Sequence, residues 1–246
     1  MSIVTPGQAA GPAESAHLDV VVLHPRDAEA ATAGGADRLL FGVDPEEGYY
    51  SPEPAAVSAV VRDTDLSVYV VLRTPEDNFR RLVDLGATFL ELGARGLAFG
   101  FLDRDLEIDR EGCAEMCTEL GGTPWLFHGF DEALDADHAW RDVRGLPGLE
   151  AVISAGSTRG LAHGADELMA RTTRDPRVAE MVLAGGGLTP ELVPWLVRAG
   201  VRRFAIGSSA RTGGSWTRAS VDVDHVRSWR MLLDDALSRA LGIPTD

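Results

Sequence analysis

The sequence predicts a single-domain α/β protein with the TIM (β/α)8 barrel fold. Strand-like and helix-like segments alternate from His17 onward at about 25–30 residues per pair, the pattern of consecutive βαβ units. The chain has 246 residues, close to the length of about 250 residues that is typical of this fold. The barrel is expected to span residues 17–241. A disordered Gly/Ala/Pro-rich tail at 1–16 and a short polar tail at 242–246 are expected to flank it.

Runs of apolar and β-branched residues predict the eight strands, and glycine or proline separates them from the helices. The predicted strands cover residues 18–23, 38–43, 68–73, 97–102, 125–128, 151–154, 181–184 and 204–206. The predicted helices begin near residues 26, 52 or 54, 76, 109, 132, 160, 189 and 222. Thr189 followed by Pro190 is a helix start signal, a hydroxyl N-cap before a proline at N1. Residues 88–92 lie in the third predicted helix but could instead form a strand.

Two turns of small residues follow the last two predicted strands. Gly185, Gly186 and Gly187 follow strand 7, and Ser208 and Ser209 belong to the turn after strand 8. Glycines leave backbone N–H groups open to an anion, and in barrels of this kind the loops after strands 7 and 8 often hold a phosphate. These residues are therefore predicted to bind an anion. The alternative is that the glycines only make tight turns.

Composition excludes several classes of function. The net charge of −15 argues against a nucleic-acid or anionic-membrane partner. No apolar run reaches the length of a membrane span, and no signal peptide is recognised. Two cysteines give no disulfide framework, which fits a cytoplasmic protein. All 23 basic residues are arginine, so Schiff-base chemistry by a lysine side chain is excluded. No particular cofactor is indicated, and a homo-oligomer stays open.

Polar residues at the C-terminal ends of barrel strands are the first candidates for chemistry, because active sites of this fold lie there. His128 ends strand 5 and is a candidate proton donor or acceptor, with Asp131 three residues later. Arg73 ends strand 3 and suits a carboxylate or phosphate. Arg211 follows the strand 8 turn and is predicted to clamp the anion. The structural alternatives are a hydrogen-bonded loop histidine and an inter-strand salt bridge.

Other polar residues are assigned structural roles. Asp19 lies inside strand 1 and needs a partner if it faces the interior, and Arg73 is the expected partner. Ser154 at the end of strand 6 is expected to be structural. Asp37 and Arg38 precede or begin strand 2, at the end of the barrel that serves stability.

The two cysteines fall on one face of the fourth predicted helix. Cys113, Met116 and Cys117 have i, i+3, i+4 spacing, and soft sulfur ligands suit Cu(I). Small sulfur residues in a helical stripe are more often part of the core. The six histidines show no zinc-type spacing. No metal ligand is therefore predicted.

Several segments, in this order, resemble signatures of the CutC family, which is named for copper homeostasis. They are GGADR at Gly34–Arg38, EGYYSP at Glu47–Pro52, FGFLDRDLEID at Phe99–Asp109, FHGFD at Phe127–Asp131, VISAG at Val152–Gly156, GGG at Gly185–Gly187 and SAR at Ser209–Arg211. The resemblance covers about residues 18–211 and implies a TIM barrel, a cytosolic location and copper binding. His128, Asp131, Arg73, the glycine triplet and Arg211 match the family's pattern.

By this resemblance the chain looks like a divergent member of the family. Val21 and Gly42 stand where the family has strand cysteines, and Gly207 stands where it usually has a histidine before Ser-Ala-Arg. The segment around His128 is one residue shorter than the family's and lacks its arginine. Two hypotheses follow. One is a copper-binding homeostasis protein, which these positions do not support. The other is a metal-independent enzyme or binding protein for a small anionic molecule, which could be phosphorylated, at the barrel mouth.

Overall fold

Eight short apolar runs form a closed barrel of parallel strands in chain order, which confirms the predicted fold. The structure is a computed structural model and describes residues 15–76 and 78–242. The strands are β1 (His17–Val22), β2 (Arg38–Phe41), β3 (Ser67–Val71), β4 (Gly96–Phe99), β5 (Trp125–Phe127), β6 (Leu149–Ser154), β7 (Val182–Ala184) and β8 (Arg203–Ile206). The predicted tail residues 1–14 and 243–246 lie outside the described residues. Ala16, also predicted as tail, is buried.

A ring of helices covers the outer face of the barrel. The helices are α1 (Pro25–Gly34), α2 (Pro54–Arg62), α3 (Phe79–Glu91), α4 (Arg110–Glu119), α5 (Ala136–Asp142), α6 (Leu161–Arg174), α7 (Pro176–Met181), α8 (Val193–Arg198) and α9 (Val223–Leu241). No helix within the described ranges combines the length and hydropathy needed to cross a membrane. The strand alternative for residues 88–92 is not observed, because α3 continues to Glu91.

Three predicted helix starts are corrected. Helix α5 begins at Ala136 rather than near residue 132, because the Asp135 side chain accepts from the His138 N–H and caps the helix there. Helix α3 begins at Phe79 rather than at residue 76, because the Asn78 side chain accepts a hydrogen bond from the Arg81 N–H and caps the helix there. Helix α8 begins at Val193 rather than after Thr189. A helix starting at residue 190 would hold Pro194 in its interior, where the ring lacks an N–H and clashes with the preceding turn. Residues 189–192 form a turn instead.

Successive side chains along each strand point alternately outward to the helices and inward to the barrel axis, so the strands separate two apolar regions. The larger one lies between the strands and the helices, and the smaller one fills the middle of the barrel. The interior residues of this middle layer are small or medium apolar side chains together with the ring of Tyr69, namely Val21, Leu40, Tyr69, Val71, Ala98, Leu126, Ala151, Leu183 and Ala205. This packed layer leaves polar groups only at the two ends of the barrel.

The N-terminal end of the interior is filled by a charged network. Asp19 is fully buried and is paired with Arg38, not with Arg73 as predicted. The Arg38 guanidinium donates to both Asp19 oxygens at 2.8–3.1 Å. The two residues face each other in the β1–β2 register, whereas Arg73 lies at the opposite end of the barrel. Arg38 also donates to Glu150, which accepts a second hydrogen bond from Tyr69. The structural role assigned to Arg38 agrees with these contacts.

Candidate functional site

A cavity of about 310 Å³ opens at the C-terminal end of the barrel and brings together nearly all the predicted site residues. The predicted residues that line it are Arg73, His128, Asp131, Gly185, Gly186, Gly187, Ser208 and Ser209. Its volume lies in the range of small-molecule sites. Arg211 is the one predicted site residue that does not line it.

His128 extends from the end of β5 into the mouth of the barrel. Its ring meets the Tyr49 ring edge-on, with 5.8 Å between centroids, and its backbone N–H donates to the Phe99 carbonyl. Burial, and then the positive charge of Arg73, lower the pKa of His128 to about 4. The imidazole is therefore neutral at pH 7 and can accept one hydrogen bond from a ligand.

Arg73 is held at the mouth by the loop that follows β2. Its backbone N–H donates to the Ser51 hydroxyl, and its guanidinium reaches the Gly48 carbonyl at 3.3 Å and a Glu132 carboxylate oxygen at 3.4 Å. Both members of the Arg73–Glu132 pair are partly exposed, with side-chain exposures of 36% and 51%. Such an exposed, long pair contributes little to stability, so the guanidinium can turn toward an anionic ligand.

Asp131 holds the ends of two neighbouring strands together. One oxygen accepts from the Ser154 hydroxyl at 2.6 Å, and the other accepts from the Ala155 N–H at 2.7 Å. Burial raises the pKa of Asp131, while these hydrogen bonds oppose that rise. The carboxylate thus positions the wall of the cavity. Ser154 has the structural role that the sequence predicted for it.

The glycine triplet forms the wall after β7. Gly185 donates its N–H to the Ser154 carbonyl, and Gly186 accepts from the Leu161 N–H at the start of α6. Gly186 and Gly187 have φ values of 84° and 86°, which favour glycine. Their N–H groups have no protein acceptor among the described residues. Consecutive N–H groups of this kind are available to an anion.

Arg211 lies beneath the turn after β8 and does not face the cavity. Its side chain is fully buried and donates to Asp27 at 2.8 Å and to the carbonyls of Val21 and Gly207. Desolvation by burial lowers the pKa of Arg211, and the Asp27 carboxylate opposes that change. The predicted clamp role has no support from these contacts, because the guanidinium is already paired. Arg211 instead fixes the turn that presents Ser208.

Two aromatic side chains at the mouth, Tyr49 and Trp216, were not among the site residues predicted from the sequence. Tyr49 and Trp216 meet edge-on with 6.0 Å between their centroids, and Trp216 lies over the Arg211 guanidinium. A Cβ at Gly207 would lie 2.2 Å from the Trp216 ring, so the indole occupies the space that a side chain at 207 would need. The only sequence feature that could have indicated them is an aromatic residue in each of two glycine-containing loops that follow barrel strands.

The two cysteines lie away from the mouth. Cys113 and Cys117 are free thiols buried with Met116 on the face of α4 that packs on the strands. Burial raises the pKa of Cys113 to about 12 and also raises the pKa of Cys117. Within residues 15–76 and 78–242, no three His, Cys, Asp or Glu side chains are grouped so that they could hold a metal ion. Both thiols lie outside the cavity at the mouth.

Comparison with solved structures agrees with the fold. A crystal structure described as the copper homeostasis protein CutC from Streptococcus agalactiae gives a TM-score of 0.67 at 19% identity, covering 78% of this chain and 98% of that one. Thiamine phosphate pyrophosphorylase from Pyrococcus furiosus gives a TM-score of 0.54 at 17% identity, covering 91% and 98%. At these identities the likeness shows the barrel fold alone.

Comparison with known sequences identifies the family. The human copper homeostasis protein cutC homolog is 29% identical over 192 residues, which cover 75% of this chain and 70% of the human protein. A CutC family protein of Klebsiella pneumoniae strain 342 is 26% identical over 209 residues, 80% of each chain. The CutC family model matches residues 16–210. Because this match covers nearly the whole barrel, the chain belongs to the CutC family.

Proposed function

We propose that this barrel binds a small anionic metabolite, carrying a phosphate or carboxylate group, at its C-terminal mouth and without a metal ion. The observation that carries the proposal is that Gly186 and Gly187, whose N–H groups have no protein acceptor among the described residues, line the same cavity as Arg73. Backbone N–H groups and a guanidinium are the donors that bind phosphate and carboxylate groups in proteins.

The remaining side chains suit hydrogen bonding to such a ligand. Arg73 supplies the counter-charge. The neutral His128 ring can accept a hydrogen bond from a bound molecule, and with a pKa of about 4 it is too weak a base to take a proton at pH 7. A phosphate group would be favoured only locally, because the net charge of −15 repels anions from the molecule as a whole. The affinity for free phosphate is therefore expected to be modest.

Copper handling is the other candidate, and it rests on the names of relatives such as the human copper homeostasis protein. The residues of this chain do not favour it. Val21 and Gly42 stand at the positions where the family has strand cysteines, and both existing thiols are buried on α4. We propose that Cu(I) binds weakly or not at all.

The anion proposal is tested by thermal shift and calorimetry with inorganic phosphate at millimolar concentration. A ligand that binds only the folded chain raises its melting temperature. The sharpest variants are Gly187→Asp and Gly187→Asn, because a Cβ at Gly187 meets no atom within 4 Å. Asn and Asp are similar in size and tolerate positive φ better than most residues. The Asp variant is expected to lose phosphate binding, since it places a carboxylate among the donors, and the Asn variant to keep most of it.

Two results would contradict the proposal. If phosphate gives no stabilisation of the wild type, or if Gly187→Asp binds as well as Gly187→Asn, the glycines are only turns. A parallel titration of the reduced protein with Cu(I) against a competing chelator tests the other candidate. Tight stoichiometric binding that is lost in Cys113→Ser would assign the protein to copper.

A further inference from the structure

A second cavity, of about 390 Å³, adjoins the first one on the β3–β5 side of the mouth. The two cavities share four lining residues, namely Arg73, His128, Gly129 and Glu132. The Arg73–Glu132 pair and the His128 ring therefore stand where the two spaces meet. A molecule held by Arg73 and the glycine triplet has this second space directly beside it.

Apolar side chains line about half of the second cavity, and polar or charged groups line the rest. Phe101 stands between Phe99 and Phe79, with ring centroids 5.7 Å and 6.1 Å away. Phe99 is buried, whereas Phe79 and Phe101 are partly exposed. Leu106 is 47% exposed and also lines the space. Aromatic and aliphatic groups that stay accessible in a cavity gain free energy when an apolar ligand group covers them.

Carboxylates at the rim of this cavity are already engaged. One Asp103 oxygen accepts hydrogen bonds from the N–H groups of Asp105 and Glu107. Asp109 caps α4 by accepting from the Gly112 N–H. Glu132 is paired with Arg73. These acidic groups hold loops in place and keep their negative charge, so the cavity disfavours a second anionic group and offers its aromatic surface to an uncharged one.

We propose that the ligand of this barrel is bipartite, with its anionic group at Gly186–Gly187 and an uncharged aryl or alkyl group in the Phe79–Phe101 cavity. The inference rests on the proposed anion site and adds the class of substrate. Arg73 would hold the anionic group from the boundary between the two cavities, with the neutral His128 ring beside the junction of the two parts of the ligand.

Binding of four probes tests this inference by calorimetry: inorganic phosphate, phenyl phosphate, hexyl phosphate and phosphocholine. Phenyl and hexyl phosphate are expected to bind about tenfold or more tightly than inorganic phosphate, from burial of six carbons. Phosphocholine carries a cationic group and is expected to gain much less. Phe101→Ala should remove most of the gain for the apolar probes and leave the affinity for inorganic phosphate unchanged.

Leu106→Gly is a second variant that preserves the fold. Leu106 has a φ of 58°, a conformation that glycine adopts without strain, so removal of its side chain is tolerated by the backbone. This variant should also reduce the gain of the apolar probes. Met231→Ala is the matched control, because Met231 is an exposed apolar residue on α9, remote from β3–β5.

Each outcome distinguishes this inference from the anion proposal. If inorganic phosphate binds but phenyl and hexyl phosphate bind no better, only the bipartite ligand is overturned. If phosphocholine binds best, the cavity recognises a cation and the apolar assignment is wrong. If inorganic phosphate and all three organic phosphates fail to bind, both the anion site and the bipartite ligand are wrong.

Discussion

At the scale of single residues, the protonation of His128 follows from where β5 places the ring. The surroundings of the imidazole lower its pKa to about 4, from an ordinary value of about 6.5. Between these values the unfolded chain binds a proton that the folded chain does not bind. The folded state therefore keeps its full stability above about pH 6.5 and loses stability as the pH falls toward 4.

The His128→Asn variant isolates this contribution. As the pH falls from about 7 to about 5, the wild type is expected to lose about 2 kcal/mol more unfolding free energy than the variant. Urea unfolding of both proteins at several pH values gives the measurement. If stability falls equally with pH in the two proteins, the folded and unfolded chains hold the His128 proton equally well, and the neutral imidazole assigned to the site is wrong.

A second prediction at this scale concerns the buried pair of Asp27 and Arg211. Both side chains are almost completely buried, and Asp27 also accepts from the N–H groups of Leu23 and Val221. Asp27→Asn leaves a buried guanidinium without its counter-charge and should lower the unfolding free energy by about 3 kcal/mol or more.

The matched control for this pair is Asp234→Asn. Asp234 pairs with Arg230 within α9, where the carboxylate is 44% exposed. That substitution should lower the unfolding free energy by less than about 1 kcal/mol. Equal losses in the two variants would show that the Arg211 pair contributes no more than a surface ion pair.

Position along a strand is enough to predict which residues lie at the mouth of the barrel. Arg73 and His128 end strands, and the closed parallel barrel brings strand ends to one mouth. Arg211 and Asp19 were misplaced because their partners depend on side-chain packing between segments. Arg211 turns back toward Asp27, which is 184 positions away in the chain. No local pattern encodes such a contact.

At the scale of elements, strong local signals located the strands, and side-chain details moved the helix ends. The proline at residue 194 prevented a helix from starting near residue 190, and the Asn78 cap shortened α3. The paths of the loops over the mouth, in contrast, could not be predicted from local sequence signals. Tyr49 and Trp216 reach the cavity because of how their loops fold over the barrel, and aromatic composition alone does not predict that path.

Helix α4 gives a prediction about its thiols. Cys113 and Cys117 are buried, and burial raises the pKa of both. Only the thiolate attacks a disulfide reagent, so at pH 8 the folded protein should react orders of magnitude more slowly than the unfolded protein. With an aromatic disulfide as the reagent, the absorbance of the aromatic thiolate that it releases measures the reaction rates of the folded and the unfolded protein. Rapid labelling of two thiols in the folded protein would place them on an accessible face and would reopen the copper hypothesis.

At the scale of the whole molecule, 38 acidic residues against 23 arginines leave a net charge of −15. Self-repulsion of this kind destabilises a compact state, and salt screens it over about 8 Å at physiological ionic strength. Raising sodium chloride from a few millimolar to about 0.15 M should therefore increase the unfolding free energy, as measured by urea unfolding. A decrease with salt would mean that the ion pairs outweigh the excess negative charge.

The charged network at the N-terminal end of the barrel determines where small molecules can enter and leave. Asp19, Arg38, Tyr69 and Glu150 occupy that end, and the apolar middle layer lies directly above them. Small molecules therefore have no route through the barrel axis. A ligand, the water it displaces and any product must all pass the rim of the C-terminal mouth, where both cavities lie. Exit is then limited by the side chains that admit the ligand, so substitutions at that rim should change association and dissociation rates together.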